Sequence, residues 1–150
     1  MITTVWRISN HETLDGSGGL RASGRWHTRG RRIVYCAPNP AAALLEVLVH
    51  AEIDLEDLPA SYRYLEIEIP AATPRETLDP AALPSGWQSR LDLTRAAGDA
   101  WLDSLRTPVL IVPSVIVPET GNVLLNPSHP EAAGVSIRRV HTHPLDPRLP

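Results

Sequence analysis

Cysteine is almost absent from this chain, which has a single one at position 36. An intramolecular disulfide is therefore excluded, and the composition fits a reducing cytosol better than a disulfide-stabilised secreted domain. Long hydrophobic runs are also absent: no apolar stretch is long enough to span a bilayer, and the N-terminus lacks the pattern of a signal peptide. We therefore expect a cytoplasmic protein that does not enter a membrane.

An excess of charge of one sign is also missing. The formal net charge is only -3, so no strong positive field draws in phosphates, and we do not expect direct binding of nucleic acid. Charged residues are 21% and hydrophobic residues 43%, which is a globular composition. The 150 residues suit one domain, residues 1–150, and the 15 prolines lie mostly between periodic segments, which indicates short elements joined by loops.

Apolar periodicity predicts several short strands. In the first strand, alternation puts Thr3, Val5 and Arg7 on one face. The run at 109–117 is apolar on both faces, which is typical of a buried strand, although Pro113 interrupts it. The predicted strands cover residues 2–8, 33–36, 61–69, 109–117, 122–125 and 135–140.

Helices are predicted over residues 40–51 and 94–105. Asn39-Pro40 is a start signal for the first, with Asn as the N-cap and Pro at the first helical position. This helix is apolar except for Glu46 and His50, which are four residues apart and share one narrow stripe. Because the remaining surface is apolar, we expect the helix to be largely buried, with Glu46 near a core.

Glu46 is the first candidate for chemistry. A carboxylate among Ala, Leu and Val is costly to bury unless it is paired or used. In one interpretation it pairs with His50 or with an arginine of the preceding loop. In the other it is a catalytic carboxylate whose ionised form is held by nearby arginines. The residues alone leave both interpretations open.

Three further residues each have a functional and a structural interpretation. Ser114 follows a proline in an apolar run; no G-x-S-x-G elbow surrounds it, so a hydrolase nucleophile is not expected, and a buried serine bonded to backbone is the alternative. Arg25, in a Gly-flanked loop, can grip a phosphate or simply lie on the surface. Tyr35 can stack on a flat ring or fill the core.

Two patterns that suggest sites have simpler explanations. Glu66 and Glu68 resemble the paired glutamates of some ADP-ribosyltransferases, but they alternate on the polar face of a strand, so we expect them to be solvated. His141 and His143 are two residues apart, and no third ligand with suitable spacing is evident, so no metal site is predicted. His129 lies in a proline-rich turn and is expected to fasten that loop.

Several short motifs follow one another along the chain in a definite order and spacing. They are Trp6-Arg7, Gly24-Arg25-Trp26 with Gly30, Tyr35, Ala43-Leu44-Leu45-Glu46 with His50, Val112-Pro113-Ser114, and Leu125-Asn126-Pro127 with His129-Pro130. Taken together, this order resembles the RES-domain family, the toxin half of the RES–Xre type II toxin–antitoxin systems. One departure is His27, where the resemblance leads us to expect Asn after Gly-Arg-Trp; it affects only a local contact of this loop.

The resemblance implies an α+β fold like the ADP-ribosyltransferases of the diphtheria-toxin type, with central mixed or antiparallel β-sheets and a few flanking helices. It also implies NAD+ as the substrate, cleaved at the nicotinamide–ribose bond, with no metal. The implied catalytic residues are Arg25, Tyr35, Glu46 and Ser114. The implied NAD+-binding residues are Arg7, Arg25, Tyr35 and Ser114. Of these, Ser114 is expected to hydrogen-bond the carboxamide or the ribose.

The resemblance also implies a partner and several acceptors. The partner is an Xre-family antitoxin that covers the cleft, in a complex that can contain a toxin homodimer. The acceptor is water (a glycohydrolase) or inorganic phosphate (a phosphorylase), and loss of NAD+ causes growth arrest. Two alternatives stay open: an ADP-ribosyl or phosphoribosyl transferase that modifies a protein, and a non-catalytic binding module in which Glu46 is only structural.

Overall fold

The computed structural model describes residues 2–50 and 61–149 and shows two β-sheets with few helices. We also expect an acidic linker at 54–59 from the sequence, and this segment lies outside the described residues. The strands are β1 (Thr3–Ile8), β2 (Val34–Cys36), β3 (Ser61–Ile69), β4 (Arg75–Thr77), β5 (Val109–Pro113), β6 (Gly121–Leu125) and β7 (Ser136–Pro144). The α-helices are α1 (Gly18–Arg21), α2 (Pro40–His50) and α3 (Leu91–Ser104), and short 3-10 turns cover Pro80–Ala82, Trp87–Ser89 and Pro130–Gly134.

The two sheets differ in the direction in which their strands pair, and a backbone bridge joins them. The first sheet has the order β1-β3-β7 and is antiparallel throughout. The second has the order β2-β6-β5-β4, in which only the β4–β5 pair is parallel. Trp6 and Ala37 bridge the sheets, because each backbone N–H donates to the other residue's carbonyl at 2.8 Å. The predicted α+β class with mixed and antiparallel sheets is confirmed.

Two cores lie on opposite faces of the second sheet. The core between the sheets consists of Val5, Val34, Cys36, Leu65, Ile67, Ile69, Val109, Val123 and Leu125. The core between the second sheet and α3 consists of Trp26, Ile33, Trp87, Trp101, Leu102, Leu110, Val112 and Leu124. The second sheet is therefore buried on both faces, which confirms the prediction made from the apolar run, as far as Pro113.

A glycine in α3 lets the helix approach the loop before β2. The space that a Cβ on Gly98 would occupy is already taken by the backbone carbonyl of Trp26. Glycine normally weakens a helix interior, but here only glycine permits this close packing. The same loop is bound to α3 through Thr94, whose hydroxyl donates to the Arg25 carbonyl at 2.6 Å.

Local signals placed two site-bearing elements correctly. The Asn39 side chain accepts the Ala42 backbone N–H at 2.8 Å, so it caps α2 as predicted. In β1, Val5 is 1% exposed, and its register partner Ile67 is fully buried. Since Arg7 shares the face of Val5, the alternation directs Arg7 toward the interior side of the first sheet.

Several predicted boundaries and burials were wrong. The strand predicted at 109–117 ends at Pro113, because the Ser114 hydroxyl accepts backbone N–H groups of a turn. The helix predicted from 94 begins at Leu91, β7 continues to Pro144 rather than ending at 140, and β4 lies where no strand was predicted. The first long helix is not largely buried: Leu45 is 40% and Val49 55% exposed, because α2 packs by one side only.

Among residues 2–50 and 61–149, no helix combines the length and the apolar character that crossing a membrane requires.

Candidate active site

A cleft of about 420 Å³ opens where β1 and β2 meet beside α2. Its size lies within the range of about 300–1,000 Å³ that is typical of small-molecule sites. It brings together four of the five residues singled out from the sequence, and Ser114, the fifth, contacts one of them. The lining residues are Trp6, Arg7, Ile8, Ser23, Gly24, Arg25, Trp26, Tyr35, Cys36, Ala37, Ala43, Glu46, Val47, Val115, Asn122 and Leu124.

Hydrogen bonds from Ser114 and Asn122 help to hold the carboxylate of Glu46 at the wall of this cleft. The Ser114 hydroxyl and the Asn122 side-chain amide each donate to Glu46 Oε1 at 2.8 Å. Glu46 lies on α2, whereas Ser114 follows β5 and Asn122 is in β6, so three separate segments meet at one oxygen. The alternative pairing of Glu46 with His50 concerns a side chain outside the described residues.

The Ser114 hydroxyl is fully engaged. It donates to Glu46 and accepts the backbone N–H groups of Ile116 and Val117 at 3.2 and 3.3 Å. Ser114 is only 3% exposed. The structural interpretation, a buried serine bonded to backbone, is therefore confirmed, and the same hydroxyl also contacts Glu46.

The loop that carries Arg25 is pinned to neighbouring elements through its backbone. The Arg95 side chain donates to the Gly24 carbonyl at 2.9 Å, and Thr94 binds the Arg25 carbonyl. The Arg25 guanidinium donates from Nη1 to the Gln88 carbonyl at 3.4 Å, while its Nε is buried and has no hydrogen-bond partner. A buried donor of this kind is suited to an anionic ligand entering the cleft.

Tyr35 is fixed by contacts at its hydroxyl. The Trp26 backbone N–H donates to that oxygen at 3.1 Å, and His27 Nδ1 lies 2.7 Å from it. Burial raises the pKa of the Tyr35 phenol well above its usual value of 10.0, so it stays protonated and serves as a donor. These contacts hold the ring of Tyr35 in the cleft wall.

Arg7 and Cys36 lie close to each other in the lining. Arg7 Nη1 donates to the Tyr35 carbonyl at 3.3 Å, which brings this arginine to the cleft as an expected partner of Arg25. Burial raises the pKa of the Cys36 thiol to about 12, partly offset by Arg7. A neutral thiol is a poor nucleophile, so the cleft contains no activated cysteine.

The two patterns set aside from the sequence lie away from the cleft. Glu66 and Glu68 bind Arg138 on the first sheet, at 3.7 and 3.1 Å, and Glu66 also contacts His141. The expectation that both glutamates are solvated was wrong for Glu66, whose side chain is 13% exposed. His129 caps the 3-10 turn that follows it by accepting the Glu131 N–H, which confirms its role in fastening that loop. Within the described ranges, no group of three or more potential ligands could hold a metal ion.

Sequence reasoning missed two residues of this region. Asn122 is the one polar side chain in a strand that otherwise reads Gly-Val-Leu-Leu, and that isolated polarity was the available signal. His27 was noted only as a departure from the expected Asn, yet it supports Tyr35. Neither contact follows from local patterning, because each depends on which segments pack together.

Comparison with known proteins places the chain in a family. A toxin named Res from Pseudomonas putida is 48% identical over 137 residues, covering 89% of this chain and 91% of the relative. The Prs ADP-ribosylating toxin of a Sphingobium species is 38% identical over 159 aligned positions, covering 99% of this chain and 98% of that protein.

The solved structures agree on the fold. A chain of the M. tuberculosis MbcT–MbcA toxin–antitoxin complex matches with a TM-score of 0.74 at 18% identity, covering 96% of this chain and 85% of its own. This likeness shows that the two chains share a fold. The model of the RES domain family matches residues 4–147, so nearly the whole chain, cleft included, belongs to the RES domain family.

Proposed function

We propose that this chain is the toxin component of a type II toxin–antitoxin system and that it consumes NAD+ by cleaving the nicotinamide–ribose bond. The observation that carries the proposal is the Glu46 carboxylate, which is oriented by Ser114 at the wall of a cleft also lined by Arg7 and Arg25. Membership of the RES domain family and the toxin names of the relatives support the biological role.

The carboxylate suits the chemistry of this bond. When the bond between nicotinamide and C1″ of the ribose breaks, its electron pair leaves with nicotinamide, which departs as a neutral base. Positive charge then develops on the ribose as an oxocarbenium ion, as in glycoside cleavage. A fixed carboxylate such as Glu46 stabilises that charge without reorganising during the reaction, and it can also orient the ribose hydroxyls.

The arginines and Tyr35 suit the rest of the dinucleotide. Arg25 has an unpartnered buried Nε, and a pyrophosphate oxygen would supply the missing acceptor. Arg7 adds a second positive charge in the same cleft. Tyr35 presents a ring, fixed at its hydroxyl end, on which the nicotinamide can stack. The scheme draws on no metal.

Ser114 acts on Glu46 in this proposal rather than on the ligand. Its only hydroxyl proton goes to Glu46, and its oxygen already accepts two backbone N–H groups. A direct bond to the carboxamide or ribose, as the resemblance implied, would require giving up one of these contacts. The geometry therefore favours a positioning role.

The acceptor defines the reaction class. With water, the products are ADP-ribose, nicotinamide and a proton; with inorganic phosphate, they are ADP-ribose-1″-phosphate and nicotinamide. A second candidate is transfer of ADP-ribose to a protein, which is favoured by the 38% identity to a relative named as an ADP-ribosylating toxin. A non-catalytic binding module is the third candidate, in which Glu46 only joins α2 to the β5–β6 hairpin.

We further propose a cytoplasmic setting in which an Xre-family antitoxin covers this cleft and a toxin homodimer forms within the complex. The likeness to a chain of a toxin–antitoxin complex supports a partner of this kind. The net charge of -3 is consistent with leaving DNA contacts to the antitoxin.

The test is NAD+ consumption by purified, antitoxin-free protein, with and without inorganic phosphate, with products read by mass spectrometry. Loss that requires phosphate identifies a phosphorylase, and loss without it a glycohydrolase. If NAD+ is stable but adenine-labelled NAD+ marks a protein in cell extract, the chain is a transferase. If a folded sample binds NAD+ and does neither, the cleft is a binding module and the enzymatic proposal is wrong.

Glu46→Gln is the matched variant, because it keeps the shape of the side chain and removes the charge. We expect turnover to fall at least about 100-fold, as for removal of an electrostatic contact to a transition state. Glu119→Gln, at an exposed position of the β5–β6 connection, is the control and should leave turnover unchanged. Full activity in folded Glu46→Gln protein would rule out the catalytic role of Glu46.

A further inference from the structure

Asn122 is a cleft residue that the proposed chemistry has not used. It lies in β6, where its register partner on β5 is Val112. Its side-chain Nδ2 donates to Glu46 Oε1 at 2.8 Å, and the residue is part of the cleft lining. The bond joins residues 76 positions apart, so it connects α2 directly to the β5–β6 hairpin.

The orientation of this amide is dictated by Glu46. An ionised carboxylate only accepts hydrogen bonds, so the nitrogen of the Asn122 amide must face it. As a consequence Asn122 Oδ1 points the other way, where it is buried and without a hydrogen-bond partner. Burying an oxygen without a hydrogen-bond partner costs free energy of folding. The contact with Glu46 is the compensating interaction on the same side chain.

Two donors therefore converge on one oxygen, one from each side of the β5–β6 hairpin beside its connection. Ser114 is anchored by the turn that follows β5, and Asn122 by the strand ladder of β6. A second donor at the same oxygen adds a constraint on the rotation of the carboxylate beyond the one that Ser114 imposes. Two donors from different directions restrict that rotation, which matters because a displacement of about 1 Å can lower a rate about 100-fold.

We propose that Asn122 is a positioning residue that sets the orientation of the Glu46 carboxylate, acting through its Nδ2–H donor. The kinetic consequence of this inference rests on the proposed function. The contact between Asn122 and Glu46 does not depend on it. The donor is neutral at every pH, so it supports the ionised carboxylate without competing with the positive charge that develops on the ribose.

Asn122→Asp is the decisive variant because it has the same shape and exchanges the donor for an acceptor. At low pH the two carboxyl groups of the variant share one proton. The protonated carboxyl group at position 122 can then donate a hydrogen bond to Glu46, as the Asn122 amide does in the wild type. Once both ionise, like charges face each other at hydrogen-bond distance and repel. The variant should therefore retain activity at acidic pH and lose it as the pH rises, whereas wild-type protein should not lose activity over that range.

Other charged and titratable groups line the cleft around this pair. They are Arg7 on β1, Tyr35 and Cys36 on β2, and Arg25 in the loop that precedes β2. Every one of them is present in both proteins, so the difference between the two pH profiles isolates position 122. Asn10→Asp, which adds the same charge at an exposed position, is the matched control and should show the wild-type profile.

The measurements are kcat and KM for NAD+ between pH 5.5 and 8.5, together with the thermal unfolding midpoint at each pH. For Asn122→Ala we expect kcat to fall about 100-fold with KM little changed, since no ligand contact is removed. For Asn122→Asp we expect the new alkaline loss of kcat, and a midpoint that falls further below wild type as the pH rises.

The two readouts separate the possible failures. If wild-type protein leaves NAD+ intact, the proposed function fails, but the pH-dependent loss of the Asn122→Asp midpoint still tests the contact. If wild-type protein is active and Asn122→Asp loses the same fraction of kcat at every pH, Asn122 is merely structural and the inference is overturned. An unchanged kcat in Asn122→Ala overturns it equally.

Discussion

His27 accepts a 2.7 Å hydrogen bond from the Tyr35 hydroxyl, and this pair supports one side of the cleft. The Gly24 backbone N–H also donates to His27 Nδ1, at 3.2 Å, so this nitrogen must be unprotonated. The proton is then on Nε2, which donates to the Gly19 carbonyl at 3.2 Å. The imidazole is therefore neutral and occupies all of its hydrogen-bonding capacity.

The first prediction concerns the pH dependence of stability. Burial is the main cause that lowers the pKa of His27 below its usual 6.5 in the folded protein. The unfolded chain consequently binds more protons near that pH, so the contribution of His27 is fully present above pH 6.5 and is lost as the pH falls below it. We expect the free energy of unfolding, measured in urea, to decrease from pH 7.5 to pH 5.

His27→Asn should reduce that decrease, because Asn does not titrate. His11→Asn, at an exposed position, is the control and should leave the pH dependence unchanged. If the free energy of unfolding falls equally with pH in wild type and His27→Asn, then His27 does not contribute to the loss of stability in acid.

The second prediction concerns Ser114. Ser114→Ala removes the donor to Glu46 and the acceptor for two backbone N–H groups, so we expect kcat to fall about 100-fold and stability by about 1–3 kcal/mol. Ser114→Thr keeps the hydroxyl and should recover more of kcat than of stability, because its added methyl must fit a buried site. Steady-state kinetics and urea unfolding measure the two effects. Equal kcat for the Ala and Thr variants would argue against the hydroxyl contact.

The third prediction separates the arginines. Arg25→Ala should raise KM for NAD+ about 10- to 100-fold, which corresponds to the loss of one charge-assisted hydrogen bond. Arg25→Lys should recover little, since an ammonium does not reproduce the position of Nε. Arg29→Ala, an exposed neighbour in the same loop, is the control. If Arg29→Ala weakens NAD+ binding as much as Arg25→Ala, the effect is general electrostatic attraction and not a specific contact.

The fourth prediction concerns Gly24. A Cβ at this position would overlap the ring and hydroxyl of Tyr35, so Gly24→Ala must displace the tyrosine, the loop, or both. We expect KM for NAD+ to rise and stability to fall by about 1–3 kcal/mol, as in overpacked sites. Gly18→Ala is the matched control, because a Cβ there meets nothing within 4 Å. A Gly24→Ala protein with wild-type kinetics would mean that the position of Tyr35 is not important for substrate binding.

Much of the fold followed from local patterns. Alternation in β1 separated the face of Val5 and Arg7 from the opposite one, and the Asn39-Pro40 signal placed the start of α2. These predictions succeeded because the period of two in a strand and the unsatisfied N–H groups at a helix start are properties of the segment itself.

Other predictions were wrong, and they share one cause: each depended on contacts between segments that are distant in the sequence. The apolar run after Val109 did not reveal that the strand ends at Pro113, since the turn there is stabilised by the Ser114 hydroxyl. The apolar circumference of α2 suggested burial, but Leu45 and Val49 remain exposed, because only neighbouring elements decide which sides of a helix are covered. Glu66 is mostly buried because a neighbouring strand brings Arg138 and His141 against it.

The sequence by itself determined the candidates: a carboxylate on an apolar helix, an arginine in a glycine-flanked loop, a tyrosine on a short strand and a serine at a strand interruption. Only the tertiary structure decided how they meet. Glu46 joins Ser114 across 68 positions and Asn122 across 76, and those bonds exist because strand pairing sets the β5–β6 hairpin beside α2. Periodicity and capping act over a few residues, whereas contacts over such separations depend on packing of the whole chain.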